Sequence, residues 1–520
     1  MPKTILSSFC ACAAVALGIV LTSLSASAAT VVWSGASGAG TNWSTGANWA
    51  GGTAPGSTDD VKFFNNGTNA TPGVPNNFVD PAFAGTIASL QFGQTNSAHT
   101  ISISNGLTLN VTGAGGLLVG TAADPGVATT NNSAVKGISG ATLNVNNATA
   151  NIVLNQGQSA ANNNRAILDL SGLDNFSANS YALGVGSIHF PVAVAQRNSG
   201  ILYLARTNII TLGLTDTLAN YSTLANRTNA IEVAYVGAGN NAGVQSFIYL
   251  GQTNAIYADS LGIGRSKASA GSAATLTFNS AFANPTAYFR GVGGASSRVT
   301  WWSIGDMADS ASSAQQSVGT NDFSLGTVDA LVDTMSLGRD CSPSHSALGN
   351  NIGVLTFAAG TIDVNNLIVG NQVLGPNTSL SGNIGIINVN GGAAKLVVNN
   401  TLTLGRTTVS YIGGLSPGGG TNALKTQGIL NVRNGGIAFV NTIAVGASSS
   451  NCVVTLTNGT LVVSNGIASA AKPLTWLNVT NSQLRLFVTS PAITNIFCTN
   501  FVSKGVTNLI GLDSVAVFPS

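Results

Sequence analysis

The sequence predicts an all-β solenoid, a parallel β-helix of stacked coils with inserted loops, and three observations carry that prediction. Charged residues are 7% of the 520, and Glu232 is the only Glu, so the material of solvated helix faces is missing. Sixty-three Gly, with many Asn, Ser and Thr, break the chain into short apolar stretches separated by turns. The third observation is a repeat. "IGVLTFAAGTIDVNNLIVGN" (352–371), "IGIINVNGGAAKLVVNNTLTLGR" (384–406), "QGILNVRNGGIAFVNTIAVGA" (427–447) and "NCVVTLTNGTLVVSNGIASA" (451–470) follow one another. Each holds three short segments of alternating or β-branched apolar residues, which is strand periodicity. Three strands and three corners in about twenty residues make one coil, and only stacking buries the inward side chains of such a unit.

Residues 1–29 carry the pattern of a secretory signal peptide. Lys3 precedes the apolar stretch "ILSSFCACAAVALGIVLTSL", and Ala26–Ala28 offer small residues for cleavage. A membrane anchor is the competing reading of the same stretch, and the small-residue flank favours cleavage. Cys10 lacks the small preceding residue of a lipidated Cys. Residues 30–80 follow as an N-terminal cap. Trp33, Trp43 and Trp49 are half of all Trp in the chain and lie just before the first recognisable coil. A stacked solenoid has an open apolar end, so three large rings there suit a plug better than an isolated sugar platform. Asp59 and Asp60 read as a polar turn before the strand-like "VKFF", with calcium or sugar binding the lesser alternative.

Residues 81–350 read as irregular coils with loops. The third-segment pattern apolar-x-apolar-Gly recurs there as "LLVG" (117–120), "LGVG" (183–186), "LGIG" (261–264) and "MSLG" (335–338), with looser copies "LYLA" (202–205), "YVG" and "SIG". Residues 351–470 are the regular coils and 471–520 terminal ones. Asn and Gly at the corners tolerate the left-handed backbone that tight turns need, and aligned Asn side chains can form hydrogen-bonded ladders.

The opening "VVWSGASGAGTNWSTGANWAGGTAPGSTDDVKFF", with "GTIASLQFG" and "HTISISNGLTLNVTGAGGLLVG", resembles the N-terminus of secreted bacterial proteins with autotransporter-associated β-strand repeats. The resemblance spans most of the mature chain, with degenerate repeats. It implies a right-handed parallel β-helix that is secreted or displayed on the bacterial surface. The family pattern is departed from at "GLDSVAVFPS", where no alternating amphipathic strand series of a membrane barrel is visible. That run ends strand-like with no cap, which points to a natural chain that continues.

The densest polar constellation is 289–345, with Asp306, Asp309, Asp322, Asp329, Asp333 and Asp340 beside Arg290, Arg298, Arg339, His345, Trp301 and Trp302. Asp306, Asp309, Asp322 and Arg339 are the residues of a polysaccharide lyase or glycosidase reading, with carboxylates as acid and base. Trp301 and Trp302 are the carbohydrate-contact candidates. The competing reading is an inserted loop pair without catalysis. Arg206, Arg265, Arg339 and Arg406 each follow a third-segment Gly or Ala, which turn solvation explains more simply than a basic row.

Other chemistry finds no support. A net charge of +2 without a Lys/Arg stripe excludes a nucleic-acid footprint. The Gly-rich run 236–243 leads into another strand, not a helix, so no nucleotide cofactor is expected. Cys341, Cys452 and Cys498 have no metal spacing, and no metal or other cofactor is predicted; a Cys452–Cys498 bridge stays open. His99 and His189 read as surface or coil-edge residues. The expectation is a secreted or cell-surface structural or adhesive protein without catalysis, whose partners are extracellular polysaccharide or envelope components. The alternative is a polysaccharide-active enzyme of the same fold.

Overall fold

A computed structural model describes residues 29–36, 40–95, 97–121, 129–156, 165–187, 199–215, 228–235, 245–265, 272–307, 317–340, 351–373, 383–407, 426–446, 449, 451–486 and 496–505. Residues 1–28, within the stretch expected to be a signal peptide, the run 236–243, Asp309, His189, Cys341, His345 and the run 511–520 lie outside the described residues.

The chain winds through three parallel sheets, one for each segment of the repeat. The first sheet runs from Asn77–Val79 to Cys498–Lys504. The second runs from the start of Thr86–Phe92 to Gln483–Leu486. The third runs from Thr30–Val32 to the end of Thr460–Ile467. Every ladder between these strands is parallel, as the parallel β-helix requires. The strands Ser317–Asp340, Asn351–Gln372 and Asn383–Thr407 each pass through all three sheets without a break.

Strand alternation sends one set of side chains inward. Leu355 and Phe357 from the first sheet, Ile362 and Val364 from the second, and Leu367 and Val369 from the third are all fully buried. Each contributes about 1.5–3 kcal/mol by leaving water, so stacking supplies the stability that charge does not. Asn ladders run up the outside. Asn144 donates to Asn110 at 2.9 Å, Asn431 to Asn388 at 2.9 Å and Asn434 to Asn390 at 2.7 Å.

The Gly that closes the third segment has a steric cause. Gly338 sits at φ 61°, and a Cβ there would lie 2.3 Å from the carbonyl oxygen of Ile384. A Cβ on Gly353, at the start of a first-sheet segment, would lie 2.4 Å from the Gly338 nitrogen. Two glycine positions therefore close one corner against each other, and neither admits a side chain.

At the first-coil end, Trp33, Trp43 and Trp49 are buried. Trp49 meets Trp33 and Trp43 edge-on, with ring centroids 4.9 and 5.3 Å apart. Beneath them Phe63 stacks on Phe92 of the next coil at 5.4 Å. Trp43 Nε1 donates to Asn77 Oδ1 at 2.9 Å, and Trp49 Nε1 to the Trp43 carbonyl at 2.8 Å. Asp60 accepts from the Ser89 hydroxyl, and Asp59 from the Gly56 N–H. Burial opposes the charge of Asp80, yet the Ser44 N–H and hydroxyl and the Ala82 N–H hold its carboxyl below the usual range.

One expectation is corrected here, and the open question of a Cys452–Cys498 bridge is answered. His99 is fully buried, not a coil-edge residue. Its Nε2 lies 2.7 Å from the Phe64 carbonyl, which can only accept, so Nε2 carries the proton and Nδ1 accepts from Asn76 at 3.1 Å. Cys452 and Cys498 are both free thiols. Val453 aligns with Trp476, whereas Cys498 aligns with Leu474 on the coil after it, so a whole coil separates the two.

Candidate functional site

The charged constellation resolves into a buried ladder on the outer side of the third sheet. Arg265, Asp306, Arg339, Asn371 and Arg406 hold aligned positions on five successive coils. Each follows the glycine that ends its third segment, and that glycine turns the next side chain back over the sheet. Arg339 Nη1 lies 3.0 Å from both oxygens of Asp306, and Arg265 Nε is 3.8 Å from Asp306 Oδ2. Arg265 Nη1 donates to Glu232, whose second oxygen accepts from Ser187 at 2.8 Å. Glu232 lies opposite Gly262, and a Cβ on Gly262 would sit 2.5 Å from Arg265 Cδ, so the glycine leaves the space in which Arg265 reaches Glu232.

Arg265 and Arg339 are 2% exposed, Asp306 1% and Glu232 0%. Charges this deep persist only when paired. Burial works against the guanidinium of Arg265, but the Glu232 and Asp306 carboxylates outweigh it and raise its pKa above the ordinary value. Aromatic faces complete the enclosure, with Arg265 over Tyr235 at 5.4 Å and Arg339 over Trp301 at 5.1 Å.

The sequence-predicted residues separate. Asp306 and Arg339 are brought together, while Asp322 lies on the first sheet, where its carboxylate accepts from the Ser324 N–H and hydroxyl. Asp309 is outside the described residues. Asp329 pairs with Arg290 at 2.9 Å and Arg298 ties the Val332 carbonyl to Asp363, both away from the ladder, whereas the buried Asp340 follows Arg339 on the same strand and lies opposite Met307 and Gln372. Trp302 is corrected from carbohydrate contact to core: its ring is fully buried, 4.8 Å from Phe289. Trp301 stays on the outer side, 4% exposed, with Arg339 over its ring.

The Arg series is corrected too. Arg265 and Arg339 are buried ion-pair partners, not solvated turn residues. "LYLA" is a first-sheet strand, so Arg206 belongs to another corner, with its side chain 60% exposed and 3.8 Å from Asp174. The signal for the ladder was legible. Asp306 follows the Gly of "SIG" just as Arg265 follows that of "LGIG", and reading both signs at one position gives the alternation. Glu232, the sole Glu, was missed because nothing in its immediate sequence marks it as a partner.

Beside the ladder, on the same outer surface, lies a groove of about 300 Å³. Trp301, Thr334, Arg339, Asn371, Thr401 and Arg406 are among its walls. Among the described residues, no group of three His, Cys, Asp or Glu is placed to hold a metal. Fold and site together define a parallel β-solenoid with an internally neutralised charge ladder flanking a polar groove. No protein family, curated protein or solved structure matches this chain.

Proposed function

We propose that this chain is a secreted or cell-surface structural or adhesive β-solenoid that acts without catalysis, akin to the bacterial proteins with autotransporter-associated β-strand repeats. On this reading residues 1–29 direct export and are removed, the aromatic cluster around Trp33, Trp43 and Trp49 plugs the first coil, and the partner is an extracellular polysaccharide or envelope component. One observation carries the non-catalytic reading. The best acid–base candidate, Asp306, has both carboxylate oxygens held by Arg339 and lies 3.8 Å from Arg265 in a buried ladder. A general acid or base must reach its substrate proton, and a carboxylate enclosed in this way supports the stack instead.

The test is incubation of the mature protein with pectin and alginate, with and without calcium. Binding without depolymerisation is expected. Depolymerisation that disappears in Asp306→Ala or Arg339→Ala, in protein whose circular dichroism is unchanged, overturns the reading in favour of an enzyme. N-terminal sequencing of the exported protein is expected to begin at or near Thr30.

A further inference from the structure

We infer that the outward face of the first sheet is a self-association surface, on which a second copy of this chain packs with its solenoid axis reversed. This pairing is independent of the adhesive role and adds to it. The face is laid down by coil register. Val354, Ile386, Ile429, Val453 and Trp476 align on five successive strands of the first sheet. The residue after each is fully buried in the core, so the pleat turns these five outward. Four of them are half-buried and Trp476 is 40% exposed. The column continues toward the N-terminal end as Thr320, Thr275 and Phe247. Val318, Ile352 and Ile384 align beside it, two residues earlier on their strands. Monomeric proteins rarely present so continuous an apolar patch, and a parallel sheet is ordinarily covered on both faces.

Size, charge and shape select a second copy as the occupant. Eight strands carry the column from Phe247 to Trp476. At about 4.7–4.9 Å between strands and about 14 Å across three outward residues, they offer about 600 Å². Two such faces bury about 1,200 Å² together, which reaches the range of stable, specific interfaces. Among the column and the outward positions two residues to either side, Asp322 is the one charge, and the Ser324 N–H and hydroxyl take up its carboxylate. The polar column beside it is bonded within itself, since Asn388 donates to Thr356 at 3.0 Å and Asn431 to Asn388 at 2.9 Å. Such amides cost less to dry. A charged partner finds no complement here, and sugar hydroxyls set on Val and Ile would lose their hydrogen bonds. A second copy repeats at the same coil interval. With a two-fold axis along the Ile386 strand, Val354 faces Ile429, Thr320 faces Val453 and Thr275 faces Trp476, the smaller against the larger each time.

Light scattering on the mature chain at micromolar concentration tests the pairing, and the mass of two copies is expected. Ile386→Arg sets two like charges against each other at the axis and is expected to weaken the dimer about a hundredfold or more. Circular dichroism first matches that variant to wild type, and Val354→Lys takes its place if it fails the match. Ile386→Cys is expected to cross-link to its own copy with a short bis-maleimide. Ile209→Cys, at a position 53% exposed on the second sheet, is expected to cross-link no more than wild type. A wild-type chain with the mass of one copy overturns the inference, and so does a dimer that the charged variant leaves intact. Cross-linking no greater at Ile386→Cys than at Ile209→Cys overturns the reversed pairing.

Discussion

Asp306 and Arg339 face each other across adjacent coils, with Arg339 Nη1 3.0 Å from both carboxylate oxygens and both side chains buried. Removing one partner strands the other in a dry site. Asp306→Ala is therefore expected to cost about 3–5 kcal/mol, read as a lower midpoint in denaturant. The paired change Asp306→Leu with Arg339→Met removes both charges and leaves Arg265 with Glu232, so it is expected to recover most of that loss. A double variant as unstable as Asp306→Ala would show that the ladder stabilises through packing rather than charge balance.

Gly338 combines a left-handed backbone with the carbonyl of Ile384 in the place of a Cβ. Gly338→Ala is expected to destabilise by about 1–3 kcal/mol or more. Gly392 has nothing within 4 Å of its Cβ position, and Gly392→Ala is expected to change stability by only a few tenths of a kcal/mol. Equal melting temperatures for the two variants would remove the steric explanation of the corner.

His99 gives the fold an acid limit. Burial lowers its pKa from 6.5 to about 4, against the Phe64 carbonyl, which raises it. The unfolded chain therefore takes up a proton before the folded one does. The stabilisation is complete above about pH 6.5 and is lost progressively as pH falls toward 4, about 3 kcal/mol in all. Protonation also turns Nδ1 into a donor facing the Asn76 amide nitrogen. His99→Gln is expected to flatten the dependence of the denaturation midpoint on pH between 4.5 and 6.5, and a slope unchanged from wild type would place the acid sensitivity elsewhere.

Trp43 and Trp49 pack edge-on at the first-coil end of the core. Either residue changed to Ala opens a cavity there and is expected to cost about 3–5 kcal/mol of stability. Calorimetric melting temperatures check this. Loss of saccharide binding at an unchanged melting temperature would make the cluster a binding site and not a plug.

Much of this architecture was legible from period-two alternation alone, because inward Val, Ile and Leu at every coil leave few other ways to bury a chain so poor in charge. Leu355, Phe357, Ile362, Val364, Leu367 and Val369 take the positions their spacing implies. The site was harder to read. The pairing of Asp306 with Arg339 depends on coil register, and irregular coils hide that register until the strands are aligned. Trp301 and Trp302 are adjacent in sequence, yet the pleat sends one outward and the other into the core. "LYLA" misled because a strand of the first sheet matches the third-sheet pattern by composition, and only its pairing with Arg165–Asp169 assigns it.

The alternation of Arg265, Asp306 and Arg339 bears on how such a chain finds its way during folding. An apolar core of repeated Val, Ile and Leu discriminates poorly between stacking on the next coil and skipping to the one beyond. A skip that omitted the Asp306 coil would set Arg265 directly against Arg339, two like charges at positions buried from the solvent. The ladder thus works as a parity check on coil order, rejecting an assembly that miscounts by one.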